Sequence, residues 1–207
     1  MEHNFEFPKL NKRWACFDTE TTGLTKWDDV LQLTLIDDEN LVVDEYFNTR
    51  PRYYDLKKGG QSVRRKKTWK ESMEVHHITP EMVKDKLSFY ERKDEFKKLF
   101  KNYPVILGYN VTFDINAVWY GIYWHIEWSS AIIDVFHLWK EYKKKHNIET
   151  TNNKLVTVAS YFGYDFSKVA HNSKEDVYAT IYVFKKIIES DEELYLKCLE
   201  IQKGQMI

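Results

Sequence analysis

Residues 13–24 of the chain read RWACFDTETTGL, and this stretch decides the fold. Its first part, residues 13–18, is a short apolar run that predicts a buried β-strand, and the TETTGL segment with Gly23 predicts a loop. Residues two apart on a strand point to the same face, so Asp18 and Glu20 should present two carboxylates together at the strand end. Such a pair can hold a hard divalent cation.

The D-x-E pattern is short and occurs three times, at 18–20, 37–39 and 191–193. Only the first copy follows a buried strand and precedes a glycine turn. A metal-binding pair is therefore one interpretation of Asp18 and Glu20, and a solvated strand end is the other.

The rest of the chain predicts an α/β fold with a mixed sheet. Residues 30–36 alternate, with Gln32 and Thr34 on the face opposite the leucines, and the turn DDEN joins them to a strand at 41–47. Further short apolar strands are predicted at 105–107 and 131–133. Helices are predicted from 80 (with Thr79 as N-cap), at 91–103, from 113, from 135, and at 155–162 and 177–188.

Length and composition indicate one globular domain over residues 1–207, with a polar lead-in at 1–12 and a C-terminal helix or tail at 189–207. The mean hydropathy of -0.59 and the lack of a long apolar run exclude a membrane-spanning helix. The first residues do not form the apolar core of a signal peptide. Two cysteines are too few to stabilise a domain of this size by disulfide bonds. We therefore expect a cytoplasmic, reducing location. The sequence leaves the oligomeric state open.

Charge is distributed unevenly along the chain. The chain as a whole carries a net charge of -1, but residues 50–70 hold nine basic residues and one acid, a local +8. The remainder therefore sums to -9. Gly59 and Gly60 lie in the middle of this segment, which predicts a mobile basic loop.

Asp114 is a third candidate ligand. It lies in VILGYNVTFDINAV, where an apolar strand meets the start of a helix, with Asn110 and Phe113 nearby. An acid in the first turn of a helix is also stabilised by the helix dipole, so helix capping is the alternative role.

Asp176 and His171 lie in HNSKEDVYATIYVF, at the start of the last predicted long helix. Ser173 and Asp176 form an S-x-x-D pattern, so a capping box is the alternative for Asp176. A histidine on a loop beside a metal ligand is a candidate general base because its pKa is near working pH. The alternative for His171 is an ordinary surface histidine.

Four motifs follow one another along the chain: FDTETTGL, HHIT, GYNVTFD and HNSKED. Their residues and order resemble the DnaQ-like, or DEDDh, 3′→5′ exonuclease family, and the resemblance extends from about residue 13 to 188. The resemblance implies an RNase H-like mixed β-sheet flanked by α-helices. It also implies two divalent metal ions, Mg²⁺ or Mn²⁺, held by Asp18, Glu20, Asp114 and Asp176, with His171 as general base.

The resemblance further implies a set of substrate-binding residues around this site. They are Thr19, Thr21, Thr22, Gly23, Leu24, His76, His77, Asn110 and Phe113. Residues 76–78 read His-His-Ile where the family has His-Gly-Ile, so either His76 or His77 could be the family's histidine.

These features predict a metal-dependent 3′→5′ exonuclease that releases nucleoside monophosphates. Single-stranded DNA or a frayed DNA 3′ end is favoured over RNA, and a polymerase or replication protein is a further candidate partner. The alternative is a catalytically silent nucleic-acid-binding or polymerase-associated subunit, which would have little reason to keep all five catalytic residues. The basic loop could guide the strand past an otherwise acidic surface, through Arg64, Arg65, Lys66 and Lys67.

Overall fold

The computed structural model describes residues 7–25, 28–49, 53–54, 63–64, 69–122, 130–166 and 172–201. Within them the strands are β1 (Trp14–Thr21), β2 (Val30–Asp37), β3 (Leu41–Tyr46), β4 (Tyr53–Tyr54), β5 (Val63–Arg64), β6 (Val105–Gly108) and β7 (Ala131–Asp134). The helices are α1 (Lys70–His76), α2 (Pro80–Val83), α3 (Lys93–Lys101), α4 (Thr112–Gly121), α5 (Val135–Lys145), α6 (Leu155–Tyr161), α7 (Ser173–Ser190) and α8 (Glu192–Ile201), with a 3₁₀ helix at Phe89–Arg92.

Five strands form one mixed sheet in the order β3-β2-β1-β6-β7, which places β1 at its centre. The first three strands are antiparallel, while β6 and β7 run parallel to β1. Helices cover both faces, so the predicted α/β class with a mixed sheet is confirmed. β4 and β5 pair separately as a two-stranded ribbon.

Alternate residues of β1 face opposite helical layers, because successive side chains of a strand point to opposite faces. Trp14 and Cys16 pack in a core built largely from α5, α6, α7 and α8. Ala15 and Phe17 pack in a second core that includes residues of α3 and α4. The strand's even-numbered positions, including 18 and 20, therefore face the layer that contains α7.

Strand β1 is longer than its apolar run predicts. Residues 13–18 were the expected strand, and the structure continues it through Glu20 to Thr21. The reason is that pairing with β2 continues, with Asp18 opposite Thr34 and Glu20 opposite Gln32. Glu20 thus lies on a strand and not in a loop, and it shares the face of Asp18 as the alternation predicts.

The basic segment 50–70 is not a loop throughout. Tyr53–Tyr54 pairs with Val63–Arg64, Trp69 is buried, and Lys70 begins α1. The other residues of this segment lie outside the described ranges. Two predicted helices are also shorter than expected: Thr79 and Pro80 open α2, which ends after four residues, and the segment 91–103 divides into the 3₁₀ helix and α3.

The ends of the described chain pack on the core. In the lead-in, the carbonyl of Pro8 accepts a hydrogen bond from Trp14 Nε1 at 3.2 Å, and the Phe7 ring contacts Trp14 edge-on. At the other end, α8 buries Leu194 and Cys198. Across the described ranges, no helix combines the length and apolar character that crossing a membrane requires.

Gly108 ends β6 where the chain turns toward α4. A Cβ at this position would lie 2.4 Å from Val111 Cγ2, a distance that the buried Val111 cannot accommodate without a shift. We predict that Gly108→Ala lowers the free energy of unfolding by about 1–3 kcal/mol through overpacking. Urea unfolding measures this, and a Gly108→Ala/Val111→Ala double variant should lose less than the sum of the two single changes. Simple additivity would contradict the steric explanation.

Candidate active site

Three carboxylates converge at the end of β1. Asp18 and Glu20 on the strand and Asp176 on α7 each offer an oxygen, and these oxygens lie within 4.8 Å of one another. All three side chains are partly buried. Asp176 is far from Asp18 and Glu20 along the chain, and the fold brings it to the end of β1.

Asp176 reaches the cluster from the first turn of α7, which begins at Ser173. Asn172 is the N-cap, and its side-chain oxygen accepts a hydrogen bond from Lys174 N. Ser173 is the first residue of the helix and is fully buried. The capping-box alternative for Ser173 and Asp176 is therefore wrong, which leaves the Asp176 carboxylate directed at β1.

Asp114 lies beside this cluster and enters from the other side of the sheet. It is in the first turn of α4, buried, and its Oδ1 accepts hydrogen bonds from Thr19 N at 2.9 Å and Thr19 Oγ1 at 2.7 Å. One of its oxygens is thus anchored on β1. The four predicted ligands occupy one end of the sheet, but the converging set contains only the other three.

Burial raises the pKa of every member of the group, and repulsion within the group raises the pKa of Asp18 and Glu20 further. The pKa of Asp18 lies well above its usual range, because of burial first and then of the charges of Asp114, Glu20 and Asp176. Burial, followed by the nearby aspartates, raises the pKa of Glu20 to about 8. Burial also raises the pKa of Asp114 and of Asp176 to about 7 in each case.

The donor set fits divalent cations. Carboxylate oxygens are the ligands that Mg²⁺ and Mn²⁺ prefer. Among the described residues, no lysine or arginine forms an ion pair with any of the four carboxylates. Buried carboxylates normally require compensating positive charge, which bound cations would supply here.

The TETTGL turn is held by hydrogen bonds to Asp28, a residue that the sequence analysis missed. Asp28 accepts from Thr22 Oγ1 at 3.0 Å and from both Thr25 N and Thr25 Oγ1. A Cβ on Gly23 would lie 2.8 Å from the Asp28 carboxylate, so a larger residue at position 23 would displace Asp28 from its hydrogen bonds. In the sequence, the only sign of this role of Asp28 is that an acidic residue follows a threonine-rich turn.

The turn leaves one apolar side chain free to contact a substrate. Leu24 is 87% exposed, the most exposed large hydrophobic residue among those described. Thr19 and Thr21 are buried: Thr19 bonds Asp114, and Thr21 Oγ1 donates to Gly23 O at 2.6 Å. Of the predicted substrate-binding residues in this turn, the structure presents Leu24 outward and uses the threonines to build the turn.

The two adjacent histidines have different positions. His76 is buried; its Nδ1 accepts from Ile78 N at 3.0 Å, which leaves the proton on Nε2 to donate to Thr21 O at 3.2 Å. Burial lowers the pKa of His76, which favours the neutral form of the ring. His77 is exposed at φ 59°, a left-handed conformation that favours glycine. This backbone conformation favours the alternative in which His77 matches the family's glycine and His76 its histidine.

Asn110 and Phe113 flank the cluster at the start of α4. Asn110 is exposed, also with a left-handed φ of 57°, and its backbone N donates to Asp134 Oδ1 at 2.8 Å. Phe113 is partly buried and lines a cavity of about 250 Å³ with Leu24 and Tyr120. Its lining includes Thr21, the last residue of β1, and Phe113, the neighbour of Asp114 in sequence.

Several predicted residues lie outside the described part of the chain. His171, Arg65, Lys66 and Lys67 are among them, and the side chain of Arg64 is not described either. The roles suggested for these residues are therefore predictions only.

The chain matches the RNase_T exonuclease family over residues 15–184 and belongs to that family. This is the DnaQ-like, DEDDh group with the RNase H-like fold, as the sequence motifs predicted. No curated protein sequence gives a significant match.

Solved exonuclease structures share the fold. E. coli exonuclease I in a zinc-bound complex with single-stranded DNA gives a TM-score of 0.67 at 22% identity, over 91% of this chain and 43% of that one. Exonuclease I of Methylocaldum szegediense gives 0.69 at 18% identity, over 91% and 43%. Exonuclease X with 5′-overhanging duplex DNA gives 0.59 at 15% identity, over 91% and 99%. The chain therefore spans less than half the length of the exonuclease I chains.

The raised pKa values predict an unusual pH dependence of stability in the presence of EDTA. Glu20, Asp114 and Asp176 bind protons more tightly in the folded chain, with pKa values of about 7 to 8, than in the unfolded chain. Stability from these groups is complete below about pH 4 and is lost as pH rises to about 8. The melting temperature in EDTA should therefore fall as the pH is raised from about 4 to about 8. With Mn²⁺ in place of EDTA, this fall should disappear.

Asp18→Asn tests the repulsion directly, because an amide has nearly the shape of a carboxyl group but cannot carry its negative charge. At pH 8 in EDTA we expect its melting temperature to exceed that of the wild type by roughly 2–4 °C, equivalent to about 1 kcal/mol. At pH 5 the difference should be smaller. Asp94→Asn, at a side chain that is 74% exposed on α3, is the control and should leave the profile unchanged. Equal effects of the two variants would contradict the repulsion.

Proposed function

We propose that this protein is a metal-dependent 3′→5′ exonuclease that releases nucleoside monophosphates from the 3′ end of DNA. The observation that carries the proposal is the convergence of Asp18, Glu20 and Asp176 within 4.8 Å, without a basic side chain among the described residues to neutralise them. Family membership supports nucleic-acid hydrolysis, and the direction of cleavage follows the DEDDh family that the motifs resemble.

The carboxylates supply the ligands for two Mg²⁺ or Mn²⁺ ions. Asp18, Glu20 and Asp176 bind through their converging oxygens, and Asp114 contributes the oxygen that Thr19 does not hold. When bound, the ions would activate a water nucleophile and stabilise the leaving 3′-oxygen. The fixed position of β1 means that the ligands need little rearrangement to accept them.

The remaining residues act on the nucleotide and on protons. Leu24 and Phe113 line the 250 Å³ cavity next to the end of β1 and would contact the terminal base. The exposed Asn110 would donate a hydrogen bond to the nucleotide. His171, five residues before Asp176, would accept the proton of the attacking water.

Single-stranded DNA is the preferred substrate in this proposal, with RNA second. Support comes from matched structures of exonuclease I with single-stranded DNA and of exonuclease X with overhanging duplex DNA. The presence of the complete carboxylate set favours an enzyme over a silent binding subunit. The buried free thiols of Cys16 and Cys198 are compatible with a reducing, cytoplasmic location.

Digestion of DNA and RNA, single- and double-stranded and labelled at the 5′ end, tests this function. Single-stranded DNA should be shortened stepwise from the 3′ end with Mg²⁺ or Mn²⁺, faster than the other substrates, and should remain intact in EDTA. His171→Ala should lower turnover by roughly 10²–10⁴-fold, the usual contribution of a general base. Its Mn²⁺ affinity should change little. Normal turnover, or loss of metal binding, would assign His171 a different role.

The basic segment generates a separate prediction about substrate binding. Replacing Arg64, Arg65, Lys66 and Lys67 with Ala should weaken binding of long single strands and reduce the salt dependence. Each lost phosphate contact should lower the slope of log K against log salt by about 0.7. Cleavage of a thymidine-monophosphate ester should barely change, because it reaches only the metals.

The control for this variant removes the same number of charges from helices α3 and α5, by changing Lys98, Lys101, Lys143 and Lys144 to Ala. Its salt slope on a long strand should stay closer to that of the wild type. If the variant of Arg64, Arg65, Lys66 and Lys67 keeps the wild-type salt slope, the basic segment does not bind the strand.

A further inference from the structure

A chain of buried hydroxyl groups links α7 to the sheet next to the carboxylate cluster. Ser173 Oγ lies 2.5 Å from Thr34 Oγ1, and both residues are fully buried. Thr34 lies directly opposite Asp18 in the pairing of β1 with β2, on the same face of the sheet. The contact therefore joins the first residue of α7 to the strand position beside a proposed metal ligand.

This series of hydrogen bonds ends at Asp44 on β3, and the Asp44 carboxylate determines which hydroxyl donates and which accepts. Thr34 Oγ1 donates to Asp44 Oδ1 at 3.3 Å, and Gln32 Nε2 donates to the same oxygen at 3.0 Å. A hydroxyl has one proton, so Thr34 must accept from Ser173 when it donates to Asp44. The ionised carboxylate strengthens both bonds. Lys174 Nζ, at 3.4 Å from Asp44 Oδ2, adds a second link between α7 and β3.

Ser173 and Asp176 lie on the same side of α7, since residues three apart are neighbours on a helix surface. Ser173 contacts β2 and Asp176 reaches the carboxylates on β1. The position of one residue consequently constrains the other within a single turn. A shift of the helix start would displace the Asp176 oxygen from the converging set by a similar amount.

We propose that Ser173, Thr34 and Asp44 are positioning residues that hold Asp176 in place to bind a divalent cation. This inference rests on the proposed function, because it assigns the three residues to the same metal site. The role explains why polar residues occupy the fully buried face of β2, where apolar side chains would pack at no electrostatic cost. Ser173 is not needed as a helix cap, because Asn172 is the N-cap of α7.

The test measures Mn²⁺ affinity directly, by the ion's paramagnetic resonance signal, together with exonuclease kinetics. Ser173→Ala and the isosteric Thr34→Val should each weaken Mn²⁺ binding by about 10–100-fold, the usual effect of losing an outer-shell contact. The double variant should be little worse than either single one, since both remove the same bond. At fixed Mn²⁺, kcat should fall while KM for a long single strand stays the same.

Two further variants separate positioning from general stability. Thr34→Ser keeps the hydroxyl and should retain Mn²⁺ affinity close to that of the wild type, even if the lost methyl group lowers the melting temperature. Thr180→Val removes another buried hydroxyl from α7, one turn beyond Asp176, and should alter stability without altering affinity. Urea unfolding confirms that each variant is folded under the conditions of the assay.

The outcomes distinguish this inference from the proposed function. Mn²⁺ affinities of Ser173→Ala and Thr34→Val within twofold of the wild type would overturn the positioning role while leaving the exonuclease intact. Equal losses in Thr34→Val and Thr180→Val would also overturn it. Selective loss of Mn²⁺ affinity in a protein without exonuclease activity would support the positioning role and refute the function.

Discussion

Repulsion between buried carboxylates is the constraint on which the rest of the site depends. Asp18 and Glu20 share one face of β1, and the fold adds Asp176 from one helical layer and Asp114 from the other. Such a group resists ionisation, as its raised pKa values show. The surrounding hydrogen bonds therefore have to hold each acid in place against its neighbours. Thr19 holds Asp114, and the start of α7 holds Asp176.

The two helical layers contribute different parts of the site because β1 is central in the sheet. Its even-numbered residues face α7 and its odd-numbered residues face α3 and α4. Asp114 lies beside the cluster, where it accepts hydrogen bonds from Thr19, an odd-numbered residue near the end of the strand. The cavity lined by Leu24 and Phe113 lies on the α4 side, while Asp176 joins Asp18 and Glu20 from the α7 side. The central strand thus sets the geometry of both parts of the candidate site.

Sequence patterns predicted the architecture, because it depends on local alternation and motif order. Strand alternation correctly placed Asp18 and Glu20 together, although the apolar run underestimated the length of β1. The sequence could not choose between His76 and His77, since the choice depends on a backbone dihedral at His77. It also missed the contact between Thr34 and Ser173, which joins residues 139 positions apart and leaves no local pattern.

The separation of the ligands along the chain has a consequence for biosynthesis. Asp18 and Glu20 are translated early, but Asp176 is supplied only after most of the sequence has been made. A nascent chain that holds β1, β2 and β3 alone has an incomplete ligand set and lacks the proposed base at position 171. Because a ligand that binds only the native state stabilises it by mass action, divalent cations would favour the last docking step of folding. The nuclease centre would thus be assembled only when the domain is essentially complete.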